Sequence, residues 1–373
     1  MAFAYTPGLR VAENTVVRKE RRLPLTGETM VSTGDTVTAD TIVARTELPG
    51  NVKMLNIANV LGLPPGDIPE LLHVEEGVKI EEGQVMGQSK GLFGLFKTTV
   101  RSPIDGVFES YNKITGQAVL REPPIPVEID AYVNGEVTDV LQDEGVVVES
   151  RATYVQGIFG IGGETRGELK VLTDGPEEEL TQDMIDESCS GKILLGGSFV
   201  SVQTLNKAIN TGVNAIIVGG FDDKDLKEFL GYDLGVAITG HEKKGITLIL
   251  TEGFGRMTMA HETFRLLASR SGMLASVNGA TQIRAGVMRP EVAIPITEEK
   301  KERESGKTAG AMDIGSPVRC IRAPYFGKLG TVAALPAELQ VLDSEAKVRV
   351  LDVKFDDGET VTVPRANVEL IEE

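Results

Sequence analysis

Part of this chain repeats itself, and the repetition constrains the fold more than any other feature of the sequence. Segment 34–44 aligns with segment 77–87, and each copy begins with a glycine. Apolar residues coincide at two later positions in the copies, which are Val37 with Ile80 and Ile42 with Val85. Internal repetition of this kind identifies a recurring structural unit before local propensities are considered.

The repeated unit has the pattern of short β-strands joined by turns. Glycine supplies the positive φ that a tight turn needs, and the alternating apolar residues fit one face of a half-buried strand. Two such units can close face to face without long exposed edges. We therefore predict a β domain over residues 25–164, preceded by an extended arm over residues 1–24. The basic run 18–22 in that arm is interpreted as a solvated strand end.

The phrases Gly-Asp-x-Val-x-Ala-Asp-x-Ile-x-Ala over 34–44 and Ser-Pro-Ile-Asp-Gly-Val-Phe over 102–108 resemble the barrel-sandwich hybrid fold. This is the fold of lipoyl and biotinyl carrier domains and of inserts in larger machines such as the RNA polymerase largest subunit. The resemblance covers residues 25–150 and implies a compact β fold. Biotinyl domains carry a modified lysine between methionines at a hairpin tip, and Lys53-Met54 matches half of that pattern. Since Val52 replaces the first methionine, we expect Lys53 to be an ordinary strand lysine, with modification as the alternative.

Length and composition limit the class of protein. With 373 residues the chain can form several domains. It has no run of about 18 apolar residues, so we expect no membrane insertion. The first 22 residues lack the apolar centre of a signal peptide. Cys189 and Cys320 are interpreted as buried free thiols in a reducing cytoplasm.

The chain is acidic, with a formal net charge of −17. A uniformly acidic molecule repels the phosphates of nucleic acids, so net charge disfavours RNA as a partner. Protein partners or self-assembly are the expectation that remains.

Residues 165–296 have a different pattern, that of an α/β domain with a parallel sheet. Four apolar runs have the length of buried strands, and they are 192–197, 214–220, 234–239 and 246–251. After the first run, the apolar residues Val202, Leu205 and Ala208 have the spacing of a helix. A second helix is predicted over 223–230 and is expected to stop at Gly231. A last helix presents a face of four apolar residues, which are Met257, Ala260, Phe264 and Leu267. Buried strands alternating with helices predict a parallel sheet covered on both faces.

Small residues follow these strands, at the edge where open α/β sheets bind ligands. The candidate ligand-binding residues are Gly196, Gly197, Ser198, Gly219, Gly220, Thr251, Glu252, Gly253 and Arg284. Arg284 could clamp a carboxylate or phosphate, or tie two elements of the sheet together. Neither dinucleotide-binding nor P-loop spacing occurs, so tight turns and a small-ligand or phosphate pocket are both open explanations.

Other polar residues have simpler explanations. His241 and His261 are expected to be surface residues, and Asp222 is expected to cap the following helix rather than bind a cation. The sequence has no zinc-ligand spacing and no defensible catalytic triad. We therefore predict no catalytic residue, no metal site and no cofactor.

After a charged linker over residues 297–311, the segment from Gly315 to Val332 resembles a KOW motif. Pro324, Gly327 and the Gly-Thr-Val phrase at 330–332 are the matching positions. The family forms a small SH3-like β-barrel, found in transcription elongation factors and ribosomal proteins. The resemblance implies such a barrel over residues 312–373, with strands at 346–355, 361–363 and 367–371 and a hairpin turn at 356–358.

In that family the barrel binds RNA or a protein. The candidate contact residues are Arg319, Arg322, Tyr325, Phe326 and Lys328, because cations meet phosphates and aromatic rings stack on bases. Residues 312–373 nevertheless hold seven basic and eleven acidic side chains, which favours docking onto protein.

The predicted fold class is therefore a multidomain β-rich plus α/β chain, with a barrel-sandwich hybrid, a parallel-sheet α/β domain and a KOW barrel. Our first hypothesis is a non-catalytic interaction or scaffold subunit of a cytoplasmic assembly. The second is a small-ligand or phosphate-binding enzyme or sensor that uses the α/β domain. The third is a transcription- or translation-associated factor that acts through the KOW barrel.

Overall fold

The structure is a computed structural model. It describes residues 9–90, 97–231, 240, 242–282, 288–296, 312–320, 324–325, 328–336, 339–341, 347–355 and 358–372. Several predicted features lie outside these ranges, namely the strand at 234–239, the linker at 297–311, His241, Arg284, Arg322 and Phe326.

Strands dominate the described residues, which form 28 strands and four α-helices, so the chain is β-rich. The first part contains β1 (Leu9–Arg22), β2 (Glu28–Thr29), β3 (Thr36–Val37), β4 (Ile42–Leu48), β5 (Val52–Asn56), α1 (Ile57–Leu61), β6 (Val78–Ile80), β7 (Val85–Gln88), β8 (Thr99–Arg101), β9 (Gly106–Tyr111), β10 (Gln117–Arg121), β11 (Ile125–Asp130), β12 (Gly135–Leu141) and β13 (Gly145–Gln156). The middle part contains β14 (Phe159–Ile161), β15 (Glu164–Val171), β16 (Glu179–Leu180), β17 (Ile193–Leu195), β18 (Phe199–Val200), α2 (Val202–Thr211), β19 (Ala215–Phe221), α3 (Asp223–Leu230), β20 (Thr247–Phe254), α4 (His261–Ala268), β21 (Leu274–Asn278) and β22 (Glu291–Pro295). The last part contains β23 (Pro317–Cys320), β24 (Leu329–Ala334), β25 (Leu339–Val341), β26 (Lys347–Phe355), β27 (Thr360–Pro364) and β28 (Val368–Glu372).

The two sequence repeats adopt the same local structure. Gly34 and Gly77 have φ of +91° and +84°, so each begins its copy in the left-handed conformation that a turn needs. Val37 and Ile80 are buried as predicted. The predicted second pair is wrong, because Ile42 is exposed and Val85 is only half-buried. The next residues, Val43 and Met86, are buried instead, because the turn between the strands shifts the alternation by one residue.

The two copies belong to different cores. Val37 and Val43 pack with residues of β12 and β13, whereas Ile80 and Met86 pack with residues of α1, β9 and β10. Strand β4 ends at Leu48, and the next strand that pairs with it along the chain is β11. The two strands are antiparallel, with Ile125 opposite Leu48. Residues 50–122 are therefore an insert between two neighbouring strands. Four of its strands form one sheet in the order β5-β10-β9-β6.

Strand β1 differs in part from the predicted solvated arm. It pairs antiparallel with β13 over most of its length and parallel with β28 at its start. The side chains of Arg18 and Arg22 are 61% and 49% exposed, but those of Lys19 and Arg21 are 18% and 12% exposed. Because side chains alternate along a strand, the basic run divides between the surface and the interior.

The middle part contains the predicted parallel strands. Strand β19 lies between β17 and β20 and is parallel to both. Residues of α2 and α3 pack on one face of these strands, and residues of α4, β21 and β22 pack on the other. The helix α3 begins and ends as predicted, with the Asp222 side chain accepting hydrogen bonds at its N-terminus and Gly231 at its C-terminus. Parallel strands buried on both faces explain the continuous apolar runs in the sequence.

The last part forms antiparallel pairs in the order β27-β26-β24-β23-β28. The predicted strands at 346–355, 361–363 and 367–371 are confirmed to within a residue or two. Their inward side chains form one core, which includes Val318, Val332 and Val353. Throughout the described ranges, no helix is long and apolar enough to cross a membrane.

Candidate functional site

The predicted ligand-binding residues of the parallel sheet come together at one edge. Gly196 and Gly197 follow β17, Gly219 and Gly220 lie near the end of β19, and Gly220 is paired with Gly253 in β20. The strand order thus places these residues on three adjacent strands, as the sequence predicts. Thr251 and Glu252 precede Gly253 in β20 and are both buried.

The chain itself crosses closely over this edge. A Cβ added to Gly219 would lie 2.0 Å from the carbonyl oxygen of Met257, and one added to Gly220 would lie 2.1 Å from that of Gly255. Ser198 donates its hydroxyl to the carbonyl of Glu177 at 2.7 Å. Glycine is needed here because any side chain would collide with a neighbouring backbone. Ligand binding at this edge stays a prediction.

Glu252 is a buried carboxylate with two partners from distant parts of the chain. One oxygen accepts from the backbone N–H of Ala260, at the start of α4, at 3.1 Å. The other accepts from Arg319 Nη1 at 2.6 Å, and both side chains are 4% exposed. Arg319 also donates to the carbonyl of Thr251 at 3.0 Å. A charge is tolerated at such depth when it is paired and hydrogen-bonded, so Arg319 joins the C-terminal strands to the parallel sheet.

The other predicted contact residues of the C-terminal part lie elsewhere. The Tyr325 ring packs 5.5 Å from the Phe355 ring. Lys328 is exposed, and its Nζ lies 4.7 Å from the centre of the Phe355 ring. It also forms an ion pair with Glu359 at 3.4 Å. Because Arg319 is buried, it does not share a surface with Lys328. Contact with a protein or RNA through the remaining residues stays a prediction.

Lys53 lies within β5, where it is paired with Leu120 and exposed. An ordinary strand lysine, with modification as the alternative, stays the prediction for this residue.

The sequence did not indicate a cleft of 610 Å³ between the first and middle parts of the chain. Its walls come from segments 20–22, 128–132 and 164–166, at the end of β1, the end of β11 and the start of β15. The first and third segments meet because a series of paired strands connects them. Strand β1 pairs with β13, β13 with β22, β22 with β21, and β21 with β15.

Arg21 forms one side of a charged network in this cleft. Its two terminal nitrogens bind the two oxygens of Glu164 at 2.7 and 2.8 Å. The same guanidinium reaches Asp130, with Nε donating to the backbone carbonyl at 2.8 Å and Nη2 to the carboxylate at 3.3 Å. Burial lowers the pKa of Arg21, but Glu164 and Asp130 more than offset this, so its pKa is raised.

Arg166 binds the second oxygen of the Asp130 carboxylate, whose first oxygen accepts from Arg21. Its Nη2 donates to Asp130 and its Nη1 donates to the backbone carbonyl of Ala39. Its Nε lies 2.8 Å from a carboxylate oxygen of Asp40, which is 78% exposed. Asp130 therefore bridges two arginines that come from different strands, Arg21 of β1 and Arg166 of β15.

Tyr132 forms the inner wall. It has φ of +65°, which is unusual for a residue with a large side chain. The Arg21 guanidinium lies 5.4 Å from the ring centre and Lys19 Nζ lies 5.7 Å from it. The hydroxyl is buried and has no hydrogen-bond partner within the described part of the chain. The pKa of Tyr132 is raised well above its ordinary value, because burial disfavours the phenolate and the Glu291 carboxylate repels it.

A second buried ionic group lies behind this wall. Lys19 and Glu291 form an ion pair, and Tyr154 donates its hydroxyl to Glu291 at 2.6 Å. Burial and the same carboxylate raise the pKa of Tyr154. The only sequence signal for these residues was the basic run 18–22, in which Lys19 and Arg21 occupy alternate positions. The sequence pattern did not indicate which carboxylates would bind Lys19 and Arg21.

No protein-family model matches this chain, and no curated protein matches it at the level that would indicate a relative.

Proposed function

We propose that this chain is a non-catalytic interaction or scaffold subunit of a cytoplasmic assembly, which docks a protein partner through its β regions. The observation that supports it most is an apolar cluster on the outer face of the insert sheet. Four aliphatic side chains lie on this face, namely Val52, Met54, Val107 and Val119. Val52 and Met54 are 48% and 51% exposed. Contiguous exposed apolar side chains are typical of protein interaction sites.

The cluster lies on three neighbouring strands of the sheet, β5, β10 and β9, and the fourth strand contributes Lys79 to the same face. Val52 is paired with Arg121, Arg121 with Val107, and Val107 with Lys79, so one row crosses all four strands. Met54 begins the adjacent row on the same side. The opposite side of the sheet is filled by the core of the insert. The cluster therefore lies on the side of the sheet that faces away from the core of the insert.

The charges on this face favour an acidic protein surface as the partner. Arg121 is paired with Glu109 at 2.8 Å. Lys79 is exposed and makes no ion pair with any residue that the structure describes. A partner that presents aliphatic side chains beside a carboxylate would match both features. A nucleic acid fits less well, because the net charge of −17 repels its phosphates.

A scaffold also has to hold its parts in fixed positions, and two contacts between parts support this role. The ion pair between Arg319 and Glu252 is dry, and β28 pairs with β1 to join the two ends of the described chain. We keep the interpretation of residues 25–164, which include the insert, as the barrel-sandwich-hybrid-like domain and of residues 312–373 as the KOW-like barrel. The enzyme or sensor and the nucleic-acid factor have less support, since residues 255–257 cross the strand ends and Arg319 is buried.

The variant Met54→Glu tests the proposal. Tagged wild-type protein and the variant are used to capture partners from native extract after nuclease treatment, and the captured proteins are quantified by mass spectrometry. We expect one protein at near-equimolar amount with wild type and a loss of at least about tenfold with the variant, because a carboxylate then faces a carboxylate.

Two matched variants act as controls. Met54→Lys adds a charge of the opposite sign at the same position and is expected to keep more of the partner than Met54→Glu. Leu274→Glu changes a residue that is 39% exposed on β21 and is expected to leave capture unchanged. Equal loss with Leu274→Glu, or no near-equimolar protein with wild type, would contradict the proposal.

A further inference from the structure

The cleft at segments 20–22, 128–132 and 164–166 has the size and chemistry of a binding site, independently of the proposed docking role. Its volume of 610 Å³ lies within the range of small-molecule sites, roughly 300–1,000 Å³. Its three segments contribute three arginines and four carboxylates. The inner arginines, Arg21 and Arg166, are bound to carboxylates of this chain.

The inner arginines and the carboxylates that bind them compensate one another, which limits the ligands that can enter this network. An anion would have to replace Asp130 or Glu164 on an arginine, and a cation would have to replace an arginine on a carboxylate. Either exchange leaves a half-buried charge without its partner, which is unfavourable. An uncharged ligand avoids both exchanges.

Hydrogen-bonding capacity nevertheless remains in the network. A guanidinium has five N–H donors. The contacts of Arg21 use four of them, two to Glu164 and two to Asp130. The contacts of Arg166 use three, to Asp40, Asp130 and the carbonyl of Ala39. A hydroxyl group can accept from a remaining N–H and donate to a carboxylate lone pair at the same time.

Tyr132 gives an independent reason to regard this wall as functional. It combines a left-handed backbone conformation with a buried hydroxyl that has no hydrogen-bond partner among the described residues. Both features disfavour the folded state, and features of this kind concentrate at ligand sites. They meet in one residue, on the wall of this cleft.

We propose that this cleft binds a small uncharged ligand rich in hydroxyl groups, a sugar or a cyclic polyol. The panel that tests it contains glucose and inositol as uncharged probes, gluconate as an anion of similar size and glucosamine as a cation. Binding to the full chain is measured by calorimetry and by ligand-observed NMR. We expect an uncharged probe to bind at least about tenfold more tightly than either charged probe.

A charge variant of the cleft gives the sharper test. Asp130→Asn keeps the shape but leaves Arg21 and Arg166 with less negative charge, so gluconate is expected to bind about tenfold more tightly than to wild type. Asp40→Asn changes a side chain that is 78% exposed, carries little risk of unfolding and is expected to act in the same direction more weakly. Asp139→Asn, at a residue that is 61% exposed on β12, is the matched control and is expected to change nothing.

Three results would overturn the assignment. The first is that gluconate or glucosamine binds wild type as tightly as the uncharged probes. The second is that no member of the panel binds. The third is that folded Asp130→Asn and Asp40→Asn proteins both bind gluconate no better than wild type does. None of these results bears on capture through the insert sheet.

Discussion

Two ionic contacts join parts of this chain that are distant in sequence, and they differ in their access to water. Arg319 and Glu252 are both 4% exposed, so their pair is dry. At the cleft, the side chains of Arg21, Asp130 and Glu164 are 12%, 24% and 37% exposed. The dry pair is closed to water, whereas the cleft network is open to solvent on one side.

The difference in exposure determines what each contact contributes. Removing one member of a buried pair leaves the other charge without compensation, and the cost is large. A partly hydrated charge recovers much of the lost interaction from water, and salt screens it. The dry pair is therefore suited to holding the parts together, and the cleft network is suited to recognition.

Arg319→Met is expected to have the largest effect on stability. The side chain is replaced by an apolar one of similar length, and Glu252 remains buried without a cation. The free energy of unfolding is expected to fall by about 3–5 kcal/mol. Urea unfolding followed by circular dichroism measures it.

The double variant Arg319→Met with Glu252→Gln is the control for that measurement. Glutamine removes the uncompensated charge and keeps an oxygen for the N–H of Ala260. More than half of the lost stability is expected to return. A double variant as unstable as the single one would show that the pair is not the cause.

Glu164→Gln is expected to have a smaller effect, and one that depends on salt. Its side chain is 37% exposed and binds Arg21 with both oxygens. The free energy of unfolding is expected to fall by about 1 kcal/mol at low salt, and by less at high salt because ions screen an accessible pair. The Arg319→Met effect is expected to change little with salt. Equal salt dependence of the two variants would remove the distinction between them.

The smallest effect is expected at alkaline pH, from the tyrosines behind the cleft. The pKa values of Tyr132 and Tyr154 are raised above the ordinary value of 10.0. Above that pH the unfolded chain releases these protons first, so stability is complete below pH 10 and is lost as pH rises through the folded pKa values. Tyr132→Phe is expected to reduce the slope of the free energy of unfolding against pH above pH 10. Urea unfolding at several pH values measures this slope. An unchanged slope would contradict the assignment to Tyr132.

The local structure was largely predictable because it depends on residues close together in the sequence. Asp222 and Gly231 mark the ends of α3, and the apolar runs of β17, β19 and β20 predict buried parallel strands. The exception is informative. Ile42 was expected inside, but the turn before β4 buries Val43 instead, and no local pattern reports how many residues a turn uses before the next strand begins.

The candidate sites were predictable only in part. The sequence placed Thr251, Glu252 and Gly253 at one sheet edge, because parallel strands end on the same side. It did not indicate that Arg319 would bind Glu252. It also treated the basic run 18–22 as one solvated group, whereas alternation along β1 turns Lys19 and Arg21 inward.

The amino-acid sequence by itself determined where strands, helices and turns form, since periodicity, glycine and capping residues act over a few neighbours. Only the tertiary structure decided which charges meet. Glu252 and Arg319 are separated by 67 residues, and Arg21 and Glu164 by 143. Any carboxylate in an acidic chain can satisfy an arginine, so the choice between them depends on how the sheets pack and not on the residues alone.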